Sequence, residues 1–209
     1  MMSKIFLADI GNTYFHIYDG KKIVHFKYAD AIAKYKDEIV FYISVKYQLS
    51  HEIANIKKWK NISSIMTIAG EYDTMGVDRK ALCLSYEDGV FVDAGSAITV
   101  DVLEEGKYMG GFILPGLNAY LEAYKTISPA LDISLAKELR LENLATTTKE
   151  QISYGIIASI KALIDKHSDG KSLYFTGGDG KFLSNFFKDA TYDEMLVFHG
   201  MQKAIKNKG

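Results

Sequence analysis

Two short turns, each following an apolar strand that ends on an aspartate, are the segments of this sequence best suited to chemistry. The first is Asp9-Ile10-Gly11-Asn12-Thr13, directly after the apolar run IFLA. An aspartate that closes a buried strand is costly to desolvate unless another group pairs with it or coordinates it. It is therefore either a solvated turn residue or a charge that faces a functional cleft.

The second turn, Asp93-Ala94-Gly95-Ser96, repeats the pattern of the first 84 residues later. Both copies continue with a β-rich segment and then an acidic-Gly-Lys turn, at Asp19–Lys21 and at Glu105–Lys107. Such a repeat indicates a duplicated fold whose two halves face each other across a cleft. Chance similarity between two hairpins is the alternative.

Two carboxylates on facing halves either share a proton or bracket a cation. Proton sharing would indicate an aspartic protease, but that family has Thr or Ser between Asp and Gly, where this chain has Ile10 and Ala94. Cation binding fits better, because each glycine lets the backbone approach an anion such as a phosphate closely. The sequence has neither a P-loop nor a Rossmann glycine motif. The pattern predicts a nucleoside triphosphate with its metal.

The elements that must position these turns follow an α/β pattern. Apolar strands precede both turns, and the segment 148–167 has isoleucine at every fourth position, which predicts a helix with one buried face. We also expect a strand over 62–70 and a helical segment over 51–60. The repeat divides the chain into an N-terminal half, residues 1–86, and a C-terminal half, residues 87–209.

Composition is that of an ordinary globular protein, with 48% hydrophobic and 24% charged residues. The net charge of −1 and the scattered basic residues predict neither a nucleic-acid nor an anionic-membrane partner. No apolar run approaches the roughly 18 residues of a membrane span, and no secretory signal is visible. With one cysteine, Cys83, the chain forms no intrachain disulfide. We expect a cytoplasmic protein.

Five blocks in register resemble the type III pantothenate kinases, members of the actin-like acetate and sugar kinase superfamily. The blocks are DIGNT (9–13), GVDR (76–79), DAGSAITVD (93–101), GGFILPG (110–116) and TGG (176–178). Their order and approximate spacing match over essentially the whole chain. The resemblance implies an α/β, duplicated actin-like or ribonuclease H-like fold with two halves facing a nucleotide cleft. It also implies ATP-dependent phosphorylation of pantothenate to 4′-phosphopantothenate, the first step of coenzyme A biosynthesis.

By this resemblance, ATP with Mg²⁺ is bound by both turns, and a monovalent cation, K⁺ or NH₄⁺, by the second. The implied ATP-binding residues are Asp9, Gly11, Asn12, Thr13, Ser96, Gly177 and Gly178. Asp93 is the implied ligand of the monovalent cation. Such a cation makes physical sense, because the chain has no phosphate-loop lysine to offset the triphosphate charge. The block 110–116 is expected to be mainly structural.

The resemblance places pantothenate on Gly76, Val77, Asp78 and Arg79. Asp78 is the implied general base for the primary hydroxyl, and Arg79 suits either the pantothenate carboxylate or a transferring phosphoryl oxygen. Without the resemblance, Asp-Arg after a glycine is typical of a surface ion pair. The loop before this block is shorter than in the family, so Tyr72 is only the nearest candidate for the tyrosine that contacts the substrate.

Thr148 resembles the family threonine that closes the pantothenate pocket from the partner subunit of a homodimer, with a register uncertain by one or two residues.

Two other functions stay open. One is another small-molecule kinase on the same fold, since fold does not fix the substrate. The other is a non-catalytic regulator that retains nucleotide binding.

Overall fold

A computed structural model of the chain describes residues 4–46, 50–136 and 138–208. Within them it has ten strands in two five-stranded sheets, together with seven α-helices. The strands are β1 Ile5–Ile10, β2 Phe15–Tyr18, β3 Ile23–Phe26, β4 Ile39–Ser44, β5 Trp59–Asn61, β6 Gly89–Ala94, β7 Ala97–Glu104, β8 Lys107–Pro115, β9 Leu173–Thr176 and β10 Thr191–Tyr192. The helices are α1 Tyr28–Tyr35, α2 Ser50–Ala54, α3 Val77–Cys83, α4 Leu117–Ile127, α5 Thr148–His167, α6 Gly180–Ser184 and α7 Leu196–Lys208.

The first sheet has the strand order β3-β2-β1-β4-β5. Strands β1, β2 and β3 pair antiparallel, whereas β4 and β5 join β1 as parallel strands. The predicted turn between β2 and β3 is present, and the Asp19 carboxylate accepts hydrogen bonds from the backbone N–H groups of Lys21 and Lys22. Aspartate is common in such turns because its side chain can bond the backbone two residues on.

The second sheet repeats this topology, with the order β10-β9-β6-β7-β8. Its first strand, β6, pairs parallel with β9, which pairs parallel with β10. Each sheet therefore places its first strand in the centre, its second and third strands on one side and its fourth and fifth on the other. The duplicated α/β fold predicted from the sequence is confirmed.

Contacts divide the chain into two compact units. The first unit comprises Met1–Glu87, Leu103–Met109 and Met195–Gly209, and the second comprises Asp88–Val102 and Gly110–Glu194. These bounds differ from the halves 1–86 and 87–209 in three places, because Glu87, the tip of the β7–β8 hairpin and helix α7 belong to the first unit. The domain boundaries themselves stay a prediction.

Each unit has its own apolar core. In the first, the aromatic rings of Phe15, Tyr28 and Trp59 pack edge to face beneath the first sheet. In the second, α5 supplies the isoleucine face that its sequence predicts. The buried members of that face are Ile152, Ile156, Ile157, Ile160 and Ile164. No helix within the described residues is both long and apolar enough to cross a membrane.

Two local predictions were wrong. The segment 62–70, predicted as a strand, contains a 3₁₀ turn at Ser63–Ile65, and Ala69 forms an isolated bridge with Lys107. The segment 51–60 is helical only as far as Ala54, because Trp59 begins strand β5 beside β4. In the segment 51–60, pairing with β4 decides the local structure, which short-range periodicity does not record.

Candidate active site

The first turn follows β1 and is held by donors from distant parts of the first unit. Gly11 closes the turn by donating its backbone N–H to the Tyr14 carbonyl, at 3.1 Å. The Tyr28 hydroxyl donates to the Gly11 carbonyl at 2.9 Å, and Lys46 Nζ donates to the Asn12 carbonyl at 3.0 Å. Asn12 lies exposed at the tip. The turn is thus a fixed backbone loop that can present its polar tip to an anion.

Sequence reasoning missed Tyr28 and Lys46. Lys46 follows β4, whose residue Ser44 pairs with Ile10 at the end of β1, so only the parallel pairing of β1 and β4 brings this lysine to the turn. The Lys46 ammonium also lies 4.9 Å from the centroid of the Tyr28 ring. At this distance a cation is attracted by the electron-rich ring face.

The second turn follows β6 in the same way. Asp93 is the fifth of the six residues of β6, just as Asp9 is the fifth of six in β1. Gly95 donates its N–H to the Ala97 carbonyl at 2.9 Å, and Gly116 donates to the Ser96 carbonyl at 3.2 Å. A Cβ at Gly116 would collide with the Gly95 and Ser96 carbonyl oxygens. The block 110–116 therefore supports the second turn directly, through its final glycine.

The TGG block also packs on the second turn. Thr176 pairs with Asp93 in the parallel ladder of β9 and β6, and Gly177 follows with φ +85°. A Cβ at Gly177 would collide with Asp93 Oδ1 and with the Ala94 carbonyl oxygen. A Cβ at Gly178, in contrast, would have nothing within 4 Å. Three separate blocks of the sequence thus meet at one turn of the second unit.

Two protein oxygen atoms lie against Gly177. Asp93 contributes a carboxylate, and the Ala94 carbonyl lies against the same glycine. Hard cations take carboxylate and carbonyl oxygens as ligands. Within the described part of the chain, no three His, Cys, Asp or Glu side chains cluster as a metal site. The Ala94 carbonyl already accepts the backbone N–H of Asp179 at 2.9 Å, so Asp93 is the group beside Gly177 with the charge to hold a cation.

Asp78 lies in the first turn of α3, two residues after Gly76. Its Oδ1 accepts the backbone N–H of Arg79 at 2.8 Å. Burial raises the pKa of the Asp78 carboxyl above its ordinary value, against the opposing effects of that hydrogen bond and of the Arg79 charge. A half-buried carboxyl with a raised pKa is suited to accept a proton.

Arg79 is only 7% exposed, so it does not belong to a surface ion pair. Its Nη1 donates to the Tyr72 hydroxyl at 2.6 Å, and its Nη2 donates to the Tyr108 hydroxyl at 3.2 Å. The structure therefore brings Tyr72 and the GVDR block together in the first unit. Tyr108, on the β7–β8 hairpin, is a further member that sequence reasoning missed, because no local signal links position 108 to position 79.

Thr148 is exposed at the start of α5, an element that carries none of the other predicted residues. The hydroxyl of the preceding residue, Thr147, accepts from the Glu150 backbone N–H and donates to the Glu150 carboxylate at 2.7 Å. The Thr147 hydroxyl thus supplies the N-cap half of a capping box, while the Glu150 carboxylate bonds that hydroxyl and not the Thr147 backbone N–H. Thr147 therefore caps helix α5. Thr148 is the neighbouring exposed threonine, and its side chain is accessible to a ligand.

Two sheets of identical strand order, each with an aspartate and a glycine turn at the end of its first strand, define an actin-like ATPase and sugar kinase fold. Two distant solved structures share it. One is an activator of 2-hydroxyisocaproyl-CoA dehydratase from Clostridium difficile with bound ADPNP (TM-score 0.58, 9% identity, 98% of this chain and 97% of that chain). The other is described as a 2-dehydro-3-deoxygalactonokinase from Sinorhizobium meliloti (TM-score 0.56, 11% identity, 97% and 96%). At these identities they show the fold alone.

Nearer relatives identify the family. The profile of the family described as type III pantothenate kinase matches residues 52–169, more than half of the chain. Type III pantothenate kinases from Helicobacter hepaticus (42% identical over 97% of this chain and 98% of the relative) and Campylobacter jejuni (41%, 96% and 96%) are similar over nearly their full lengths. The chain belongs to the type III pantothenate kinase family.

A crystal structure from Campylobacter jejuni is also similar, with a TM-score of 0.89 and 39% identity over 97% of this chain and 98% of that chain. That protein is described as belonging to a Baf family of transcriptional activators. The family profile and the relatives from Helicobacter hepaticus and Campylobacter jejuni support a kinase, and a regulator is not favoured.

Proposed function

We propose that this chain is an ATP-dependent kinase that phosphorylates the primary hydroxyl of pantothenate, the first step of coenzyme A biosynthesis. Membership of the type III pantothenate kinase family supports the substrate and the nucleotide. The observation that supports catalysis is Asp78, a half-buried carboxyl with a raised pKa directly before the buried Arg79.

In the proposed reaction, Asp78 accepts the proton of the pantothenate hydroxyl. The hydroxyl oxygen forms a bond to the γ-phosphorus as the bond from that phosphorus to the β–γ bridging oxygen breaks, and ADP leaves. Phosphoryl transfer has a loose transition state, so orientation by Asp78 matters as much as its base strength. Arg79 binds an anionic oxygen of the substrate through its planar fork of donors.

The two turns bind the nucleotide. Asp9, Gly11, Asn12 and Thr13 contact phosphate in the first unit, and Ser96 contacts the nucleotide from the second. Gly177 and Gly178 contact the adenosine through their backbone, and Gly178 leaves room for it because a Cβ there would meet nothing within 4 Å.

Asp93 holds a monovalent cation, K⁺ or NH₄⁺, and ATP carries Mg²⁺. The carboxylate and carbonyl oxygens beside Gly177 support this assignment. When bound, these cations offset the triphosphate charge.

The proposed assembly is a homodimer in which Thr148 closes the pantothenate pocket of the partner subunit. Its exposure at the start of α5 supports this role. Sedimentation of the wild-type protein measures the dimer. Mixing inactive Asp78→Asn with inactive Thr148→Val protomers then tests the shared pocket, because a mixed dimer has one intact site and regains part of the activity.

A cytoplasmic location stays a prediction of the sequence.

The decisive experiment is ADP release with and without pantothenate, in potassium and in sodium buffer. We expect release that depends on pantothenate and is faster in potassium. ATP binding without turnover of pantothenate would favour a regulatory role, the second candidate, which the description of the Campylobacter jejuni structure raises. Turnover of a different alcohol from a panel of acceptors would indicate another small-molecule kinase.

A further inference from the structure

Two side-chain donors from different elements hold consecutive carbonyl groups of the first turn. The Tyr28 hydroxyl, at the start of α1, donates to the Gly11 carbonyl at 2.9 Å. Lys46 Nζ, just after β4, donates to the Asn12 carbonyl at 3.0 Å. The two donors are neighbours, because the Lys46 ammonium lies 4.9 Å from the centroid of the Tyr28 ring. They therefore hold the turn from one side.

That side is the face of the first sheet opposite to Asp9. The Tyr28 ring packs on Phe15, which pairs with Ile10 across β2 and β1. Cross-strand partners share a face of the sheet, and successive residues of a strand alternate between its faces. Because Asp9 precedes Ile10 in β1, its side chain points to the other face. Asp9 and the two donors thus lie on opposite sides of the turn.

This arrangement sets the direction of the N–H groups in the turn. In a planar trans peptide, the C=O of one residue and the N–H of the next point in opposite directions. The Gly11 and Asn12 carbonyls point towards Tyr28 and Lys46. The N–H groups of the same two peptide planes are therefore directed towards the face that carries Asp9. Successive backbone N–H groups on one side of a turn form a concavity that binds anions.

The charge of Lys46 strengthens these donors. A hydrogen bond from an ammonium to a carbonyl oxygen polarises the peptide, so the N–H at the other end of that plane becomes a stronger donor. The carbonyl oxygen and the aromatic ring that the ammonium contacts are both neutral. These two contacts therefore orient the positive charge of Lys46 beside the turn without neutralising it.

We propose that Tyr28 and Lys46 are positioning residues for the nucleotide, and that they orient the backbone N–H groups of the first turn towards a phosphate of ATP. They act through the Gly11 and Asn12 carbonyls and do not contact the nucleotide themselves. This inference rests on the proposed binding of ATP at the first turn, and it does not depend on which alcohol accepts the phosphoryl group.

The test measures the Kd of MgATP by titration calorimetry in the absence of pantothenate. Lys46→Met removes the charged donor and keeps a long unbranched side chain. We expect Kd to rise about tenfold, the size expected for losing one hydrogen bond from a charged group. Tyr28→Phe removes a neutral donor and keeps the ring, so Kd should rise about fivefold. Lys46→Arg keeps a charged donor and should stay within about threefold of the wild type.

The matched control is Lys58→Met, because Lys58 Nζ also donates to a backbone carbonyl of the first unit, that of Asp37, at 2.7 Å. The control should keep the wild-type Kd. In steady-state kinetics, Lys46→Met and Tyr28→Phe should raise KM for ATP and leave kcat and KM for pantothenate within about twofold of the wild type. A fall in kcat with unchanged KM for ATP would overturn the inference.

Three binding results would also overturn it. The first is a wild-type Kd in both Lys46→Met and Tyr28→Phe. The second is an equal rise in the Lys58→Met control, which would indicate a general effect of losing a lysine. The third is a rise in Lys46→Met that Lys46→Arg does not rescue, because the arginine also supplies a charged donor.

Failure of the inference and failure of the proposed function give different results. If the wild type binds MgATP but does not turn over pantothenate, the proposed function fails, and the Kd values of the variants still decide this inference. If the wild type is active and both variants keep the wild-type Kd, only the inference fails. A wild type that does not bind MgATP overturns both.

Discussion

Gly177 packs directly against Asp93, so that a methyl group at position 177 would occupy the space of the Asp93 carboxylate. The glycine also has a positive φ of +85°, which side-chain-bearing residues rarely adopt. One residue of the TGG block therefore fixes where the proposed cation ligand lies.

We predict that Gly177→Ala destabilises the protein by about 2 kcal/mol or more, because strain at a positive φ adds to the collision. The variant should also lose activity, since Asp93 must move to make room for the methyl group. Urea unfolding and ADP release measure the two effects.

Gly178→Ala is the matched control for stability. A Cβ there meets no protein atom within 4 Å, so the free energy of unfolding should stay within about 0.5 kcal/mol of wild type. If Gly178 also lies against the adenosine, its variant raises KM for ATP while remaining stable. Equal destabilisation by both substitutions would contradict the packing described for Gly177.

Asp78→Asn should separate catalysis from stability. Removing the base should lower kcat by about 10²–10⁴-fold. Because the folded-state pKa of Asp78 is raised, the stability that its protonated carboxyl contributes at low pH is lost as the pH rises from the ordinary pKa of an aspartate through the raised one. The neutral amide should therefore leave the free energy of unfolding at pH 7 unchanged or higher.

The wild-type enzyme supplies a second test of Asp78. The acid limb of its profile of kcat/KM against pH should lie above the range of an ordinary aspartate, because the carboxylate form is required. Near wild-type turnover by Asp78→Asn would remove this residue from its role.

Removal of monovalent cations tests Asp93. Replacing potassium and ammonium by a bulky organic cation, at constant ionic strength and Mg²⁺, should sharply lower ADP release. Adding potassium back should restore it. The Asp93→Asn variant should respond little to potassium, because its neutral amide holds a cation weakly. A wild-type enzyme indifferent to potassium and ammonium would count against the assignment.

The pair His16 and His25 predicts sensitivity to acid. Their side chains face each other across β2 and β3, with the two Nδ1 atoms 2.6 Å apart. Burial, with a smaller contribution from the His25 charge, lowers the pKa of His16 from 6.5 to about 4. The folded state therefore favours neutral His16, so the stability that His16 contributes is present above pH 6.5 and is lost as the pH falls towards 4.

Complete loss of the stability that neutral His16 contributes would lower the free energy of unfolding by about 3 kcal/mol. His16→Gln should flatten this part of the stability profile, measured by urea unfolding between pH 7.5 and 4. His51→Gln, at an exposed position, is the control and should keep the wild-type slope. An unchanged slope in His16→Gln would contradict the assignment of the acid sensitivity to this pair.

The sequence by itself determined the parts of this protein that depend on local pattern. The repeat of an apolar strand, an aspartate and a glycine turn predicted the duplicated fold, and the isoleucine spacing predicted α5 and its buried face. Strand alternation and helical periodicity are properties of neighbouring residues, so they can be read without knowing what packs against them. The same five blocks were sufficient to indicate the family.

Only the tertiary structure decided which distant residues meet. The parallel pairing of β1 and β4 brings Lys46 to the Asn12 carbonyl. The β7–β8 hairpin brings Tyr108 to Arg79, and burial of Asp78 raises the pKa of its carboxyl. Pairing with β4 likewise made 59–61 a strand, where the sequence predicted a helical segment over 51–60. These contacts and the burial of Asp78 have one physical reason in common. Long-range pairing and desolvation depend on the packed fold, so the periodicity of the local sequence does not predict them.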